Sequence, residues 1–410
     1  GVRLIEHELL VSNIATNGEF FTLATDQDNL NEIVFNQVML TTGHQSGRPT
    51  SIPFPSDDQQ ENYIDFVYPP DEKLESIKHE DAVLVKGMGL TFMDTALALT
   101  EGRGGKFLAS QQGLSYISSG REVKSIIPFS RSGKWMLPRK STLLPTLQRF
   151  ENDIESFKKS KTSKVDFVQD IIPFLDQEIQ EHFPSYDFNR ALNFKQIDIE
   201  SLIEIAELDL DHPLNFVSVL WRKFSDTFSQ LYTQKRLTDE SYILFLGQYK
   251  SKIQRLCYGP PLINYQKLDA LEKAGYLDLR FVSNPEINFD DKKVRSCQNE
   301  SINFTKMIDA RIPSIDLENN PSKLYENLLK SGLLQTYKID NKLPGMLLLN
   351  EYGNPITENG ILDQLTLYGM PTEGSMYNND TLSIHQNDNS SRWVEQIINE
   401  LQYGLNPAFA

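Results

Sequence analysis

Gly87 and Gly89 stand between two segments of different period. Before them runs the apolar, largely β-branched stretch Ala82-Val83-Leu84-Val85-Lys86. After them, Leu90, Met93 and Leu97 recur at helical spacing. Strand, glycine turn and helix, in that order, is the context a dinucleotide-binding fingerprint requires. The first glycine makes the turn, and the second removes a Cβ where a pyrophosphate approaches the backbone. The helix then offers its unpaired N–H groups and the positive end of its dipole to the phosphates. Leu90 and Thr91, the first residues of that helix, belong to the same candidate site. The third glycine of G-x-G-x-x-G falls at Phe92, so an ordinary βα corner is the alternative reading of this stretch alone.

Other residues could serve the same chemistry. The strand Val123–Phe129 ends in Ser130 and Arg131, where a doubly wound nucleotide domain faces the adenosine ribose. An arginine there suits a 2′-phosphate; the alternative is a solvated turn arginine. The strand-like run 32–42 ends in Thr42, Gly43 and His44. A small residue and a glycine let backbone pass close to a ligand, whereas a plain turn glycine and a surface histidine are the competing reading. Glu101-Gly102-Arg103-Gly104-Gly105 suits a helix end and a tight loop, since no Lys-Ser/Thr follows in P-loop spacing. No side chain announces itself as an acid, base or nucleophile.

Composition bounds what surrounds these residues. A chain of 410 residues calls for two domains, and 39% hydrophobic with 23% charged residues describes a globular protein. A net charge of −16 argues against a nucleic-acid groove. No run approaches the ~20 apolar residues that span a bilayer, and no signal peptide stands at the start. Cys257 and Cys297 supply neither a metal cluster nor a disulfide framework, which suits a cytoplasmic protein with no metal.

The elements that must position the candidates follow from pattern. Residues 3–12 read as a strand, Asn17-Gly18 as a hairpin turn and 20–25 as the returning strand. This β-meander feeds the 32–42 strand. Residues 45–80, with Pro49, Pro53, Pro55, Pro69 and Pro70, read as a connecting loop. Between Arg139 and Leu246 glycine disappears, and apolar residues such as Leu147, Phe150, Ile154 and Phe157 recur at helical spacing. This predicts a helical insertion at about 140–256, its aromatics forming core. Strands are expected over 276–282 and 303–311. In the tail, strand, turn and strand lead to Gly369-Met370-Pro371-Thr372-Glu373-Gly374 and a closing helix.

Seven pieces in consistent order carry a resemblance: Leu40–His44, Gly87–Asp94, Ser119–Glu122, Ser130–Gly133, Tyr258–Pro261, Ile308–Arg311 and Gly369–Gly374. The set resembles the two-dinucleotide-domain flavoproteins, in particular a large, functionally uncharacterised bacterial FAD/NAD(P)-binding family. More distantly it is similar to flavin-dependent N-hydroxylases of lysine and ornithine and to Baeyer–Villiger-type monooxygenases. The resemblance implies an α/β fold with two dinucleotide-binding, three-layer domains. It implies a split flavin domain, 1–80 and 301–410, around an NAD(P)-binding-like domain at 81–300. It implies FAD and NADP as cofactors, an oxidoreductase activity of monooxygenase or reductase kind, and a small-molecule substrate. Thr42, Gly43, His44 and the turn holding Gly369, Pro371, Thr372, Glu373 and Gly374 would border the flavin, with backbone N–H groups of the turn available to it. Asp94 is expected to secure the helix. The family's first FAD fingerprint is expected upstream of these elements and is not found in the sequence. A non-catalytic protein keeping the fold as an interaction module is the competing function.

Overall fold

The computed structural model describes residues 3–26, 33–43, 62–110, 113–139, 145–312, 317, 321–339, 346–377 and 389–404. His44 and most of the proline-bearing loop after it lie outside the described residues.

The described chain is mixed α/β, and a four-stranded parallel sheet organises its centre. The strands are β1 (Tyr63–Ile64), β2 (Ala82–Lys86), β3 (Ser125–Phe129) and β4 (Lys306–Asp309), in the spatial order β1-β4-β2-β3. A parallel sheet is covered on both faces, which is why β2 reads as a continuous apolar run. Val83, Leu84 and Val85 are all fully buried. Alternation sends Val83, Val85, Ile126 and Ile308 to the large core shared with helix α1 (Leu90–Ala98) and the helical region. It sends Leu84, Ile127, Phe129 and Met307 to a second core with Val294 and Phe304. That face is met by a three-stranded antiparallel sheet, Glu286–Asn288, Lys293–Arg295 and Ser301–Asn303, which no sequence pattern had suggested.

The expected strand over 276–282 is a correction. Only isolated bridges join Leu277 and Ser283 to the edge at β3. The Asp278 side chain accepts from the Arg280 N–H at 3.2 Å and from the Arg280 guanidinium at 2.7 and 2.9 Å, which winds Leu279–Phe281 into a short turn. The strand expected from residue 3 likewise begins only at Val11.

Helices from Gln148–Ser160 to Lys250–Cys257 make up the insertion, and the helix Leu262–Lys273 follows the break at Gly259-Pro260-Pro261. Phe167, Trp221, Phe224 and Phe228 are fully buried there, so the aromatic stripe is core, as its spacing predicts. The Asn17-Gly18 turn closes the first hairpin: Asn17 Oδ1 accepts from the N–H groups of Glu19 and Phe20, and Gly18 takes φ 95°. Ile14, Phe21 and Leu40 then share a third core with Tyr325, Leu347, Leu365 and Leu367 from the far end of the chain.

Candidate functional site

From β2 the chain crosses to β3 on one side and later returns to β4 on the other. The strand order therefore reverses between β2 and β4. In open α/β sheets the crevice at the carboxyl ends of such strands is where ligands bind. Gly87 sits at that point with φ 116°, its N–H donating to the Phe129 carbonyl at 2.8 Å. A Cβ on Gly87 would lie 2.8 Å from the Ala310 carbonyl oxygen and 3.2 Å from Arg311 Cγ. This glycine is thus demanded by the neighbouring strand's exit. Gly89 is different. It is half-buried, extended at the start of α1, and an added Cβ would meet nothing nearer than Met136 Sδ at 4.0 Å. The backbone there is open to approach, and no side chain caps α1.

Leu90 is exposed and Thr91 is buried, its carbonyl accepting the Thr95 hydroxyl at 2.7 Å. Phe92, in the third-glycine position, is fully buried against Trp135 at 5.7 Å between ring centres. An aromatic ring thus stands where the fingerprint's third glycine would serve close packing of helix on strand. Asp94 accepts the Tyr68 hydroxyl at 2.5 Å, tying α1 to the segment before it. That is the securing role expected of it.

Ser130 and Arg131 follow β3 on the same edge of the sheet as Gly87 and Gly89. The Ser130 hydroxyl accepts the Gly133 N–H at 2.9 Å and is spent on closing its turn. Arg131 is exposed.

A polar cluster at this edge was not singled out from the sequence as a site. Register places Asp309 beside Lys86, and Tyr63 beside Met307 on the same sheet face. Asp309 is fully buried and accepts from Arg311 Nε at 2.8 Å and Nη2 at 2.7 Å. That pairing raises the Arg311 guanidinium. Burial, and then Arg311, pull the Lys86 ammonium down. Burial, and then Asp309, push the Tyr63 hydroxyl up. The available signal was Asp309-Ala310-Arg311 at a strand end, since i and i+2 share a face.

The remaining candidates gather elsewhere. The strand Val38–Leu40 pairs in parallel with Leu365–Leu367, and the Tyr368 N–H donates to Leu40 at 2.9 Å. Thr42, Gly43 and Gly369 thus follow neighbouring strand ends. The Thr42 hydroxyl lies 2.9 Å from the Tyr325 hydroxyl, and Gly43 is exposed at φ 64°. The turn after Gly369 differs from the expectation in one respect. The Thr372 and Glu373 N–H groups bond to Gly369 and Met370 within the turn, so these two are not available to a ligand. Pro371 and Thr372 are buried. Glu373 pairs with Lys250 at 2.7 Å, and the Gly374 carbonyl accepts the Tyr232 hydroxyl at 2.9 Å. The turn therefore docks on the helical region. Among the described residues no cluster of metal-ligating side chains occurs, and no helix is long and apolar enough to cross a membrane.

No family model matches the chain. It is 24% identical over 380 residues to nitrosuccinic acid synthase npaA of Aspergillus oryzae, an alignment covering 75% of this chain and 58% of that protein. It is 23% identical over 382 residues to the L-aspartate N-monooxygenase (nitrosuccinate-forming) of Streptomyces davaonensis, covering 74% of this chain and 58% of that one. The chain thus spans less than two thirds of the length of these curated relatives. Two structures of cyclohexanone monooxygenase from Rhodococcus sp. Phi1 bound to NADP+, one of a mutant, superpose with TM-scores of 0.30 and 0.34 at 12% identity. They cover 75% and 96% of this chain and 53% and 65% of those chains; so loose a superposition carries no argument about fold or chemistry. What the chain demonstrably shares is sequence relationship to N-monooxygenases that form nitrosuccinate.

Proposed function

We propose that this chain belongs to an FAD- and NAD(P)H-dependent N-monooxygenase acting on a small amino-acid substrate, aspartate being the first candidate from its relatives. The observation that carries the proposal is the glycine turn at the switch point. There Gly87 makes a left-handed turn and Gly89 leaves backbone open in front of an uncapped helix. These features fit a nicotinamide dinucleotide. Arg131, exposed at the end of β3, would take the 2′-phosphate and favour NADPH over NADH. A flavin would lie along Thr42, Gly43 and the 369–374 turn, and when bound it supplies the redox and oxygen chemistry. The open backbone at Gly43 fits such a neighbour, and the shared core of residues 14–40 and 317–367 supports one split flavin domain, giving the two-dinucleotide arrangement. The protein's own part is to bind, orient and exclude water.

The test is direct. NADPH should raise the melting temperature of the full chain, and FAD should copurify or bind with its absorbance bands. L-aspartate should stimulate NADPH oxidation in the flavin-loaded protein. A melting temperature indifferent to both cofactors would favour the non-catalytic interaction module, a reading helped by the engagement of Glu373 and Gly374 with the helical region.

A further inference from the structure

We infer that the cleft between the helices Gln148–Ser160 and Ile172–His182 binds a small organic cation, a primary ammonium on an apolar body, with the Glu178 carboxylate as its acceptor. The site belongs to the helical region and does not depend on the function proposed above.

Helical spacing builds the walls of this cleft. Phe150, Asp153 and Phe157 stand at i, i+3 and i+7 on the first helix, and Phe174 and Glu178 at i and i+4 on the second. Each helix therefore brings one carboxylate in among phenylalanines. Both helices pack on the helix Pro213–Thr233, where Phe157 and Phe174 meet Phe224 at 5.7 and 5.5 Å between ring centres. Phe174 also lies 5.5 Å from Phe150 and 4.6 Å from Phe157. These three rings, Asp153 and Glu178 line a cavity of about 250 Å³. That is room for a one-ring amine and not for a dinucleotide.

Glu178 is 6% exposed, yet among the described residues no hydrogen bond reaches its carboxylate. The nearest cationic group, His182 Nδ1, is 3.7 Å away and donates instead to the Glu178 carbonyl at 3.0 Å. Arg149, on the facing helix, gives its fork to Glu181, Nη2 at 2.6 Å and Nη1 on the other oxygen, with Nε 3.8 Å from Asp153. Lys161, near the Phe157 ring, pairs with Asp170 at 2.5 Å. Burial pushes the Glu178 carboxyl up; His182 and Arg149 pull it back only in part, and Glu181 and Asp153 push it further. Three carboxylates, those of Asp153, Glu178 and Glu181, thus stand against one guanidinium. Buried Glu122 shows the contrast, since it accepts from the Ser119 N–H and from two hydroxyls. A carboxylate out of water without such donors is costly. An ammonium supplies both the charge and the donors that Glu178 lacks. The phenylalanine rings, with their negative faces, favour the same cation and its apolar body.

The test is calorimetric titration of the full chain with benzylammonium, neutral benzyl alcohol and anionic benzoate. Benzylammonium should bind, benzyl alcohol should bind about tenfold or more weakly, and benzoate should not bind. Glu178→Gln keeps the shape and removes the charge. It should weaken benzylammonium about tenfold or more and leave benzyl alcohol within about twofold. The melting temperature of that variant should hold or rise, because a buried charge without donors has been relieved. Asp153→Asn should weaken benzylammonium only about twofold to fivefold, its side chain being 45% exposed. Should Glu178→Gln fail to fold, Asp153→Asn and the comparison with benzyl alcohol decide. Absence of benzylammonium binding to the unmodified chain, equal binding of benzyl alcohol, or undiminished binding by Glu178→Gln overturns the site.

Discussion

A Cβ on Gly87 would lie 2.8 Å from the carbonyl oxygen of Ala310, two positions remote in sequence and adjacent across β2 and β4. The glycine also holds φ 116°, a conformation that L side chains rarely adopt. Gly87→Ala is therefore expected to destabilise by about 2 kcal/mol or more, from strain and overlap together. Thermal unfolding without any ligand checks this. A destabilisation equal to that of Gly89→Ala, where the added methyl group has room, would contradict it.

Glu122 makes acid stability measurable. Burial alone would raise its carboxyl, but hydrogen bonds from the Ser119 N–H at 2.6 Å and from the Ser118 and Tyr116 hydroxyls outweigh burial and hold it at about 2. The unfolded value is 4.5, so the stabilisation is complete above that pH and is lost as pH falls from 4.5 towards 2. It amounts to at most about 3 kcal/mol. Glu122→Gln should lower the melting temperature at neutral pH and flatten its fall in that window. An unchanged acid slope in the variant would assign the transition to other groups.

Two contacts fasten the 369–374 turn to the helical region, and they should differ in weight. Tyr232→Phe leaves the buried Gly374 carbonyl without its donor and should cost roughly 1–3 kcal/mol. Lys250→Met removes an ion pair whose side chains are about a quarter to a third exposed, and should cost under about 1 kcal/mol, less at high salt. Denaturant melts of both variants at two ionic strengths separate these contributions.

Gly259 gives the sharpest steric prediction. A Cβ there would fall 2.0 Å from the Leu137 carbonyl oxygen, against backbone that cannot rotate away. Gly259→Ala should cost about 3 kcal/mol or more, or prevent folding.

NADPH discrimination tests Arg131. Arg131→Ala should weaken NADPH about tenfold or more and leave NADH nearly unchanged, since only NADPH carries the 2′-phosphate. Equal weakening of both cofactors would remove that assignment.

What the sequence determined by itself is local in origin. The run Ala82–Lys86, the glycines after it and the spacing of Leu90, Met93 and Leu97 specify strand, turn and helix through backbone sterics and periodicity. Asn17-Gly18 specifies a hairpin, and the helical spacing of Phe224 and Phe228 specifies core. Periodicity misled where a side chain captured its own backbone, as Asp278 does at 276–282. Tertiary structure alone decided which strand lies beside β2, and so brought Asp309 and Arg311 to Lys86 and Gly87. It also decided that the helical region meets the tail through Lys250, Tyr232 and Tyr258. Such pairings join residues far apart in the chain, and the free energy that selects them comes from burial of whole faces, which no local spacing encodes.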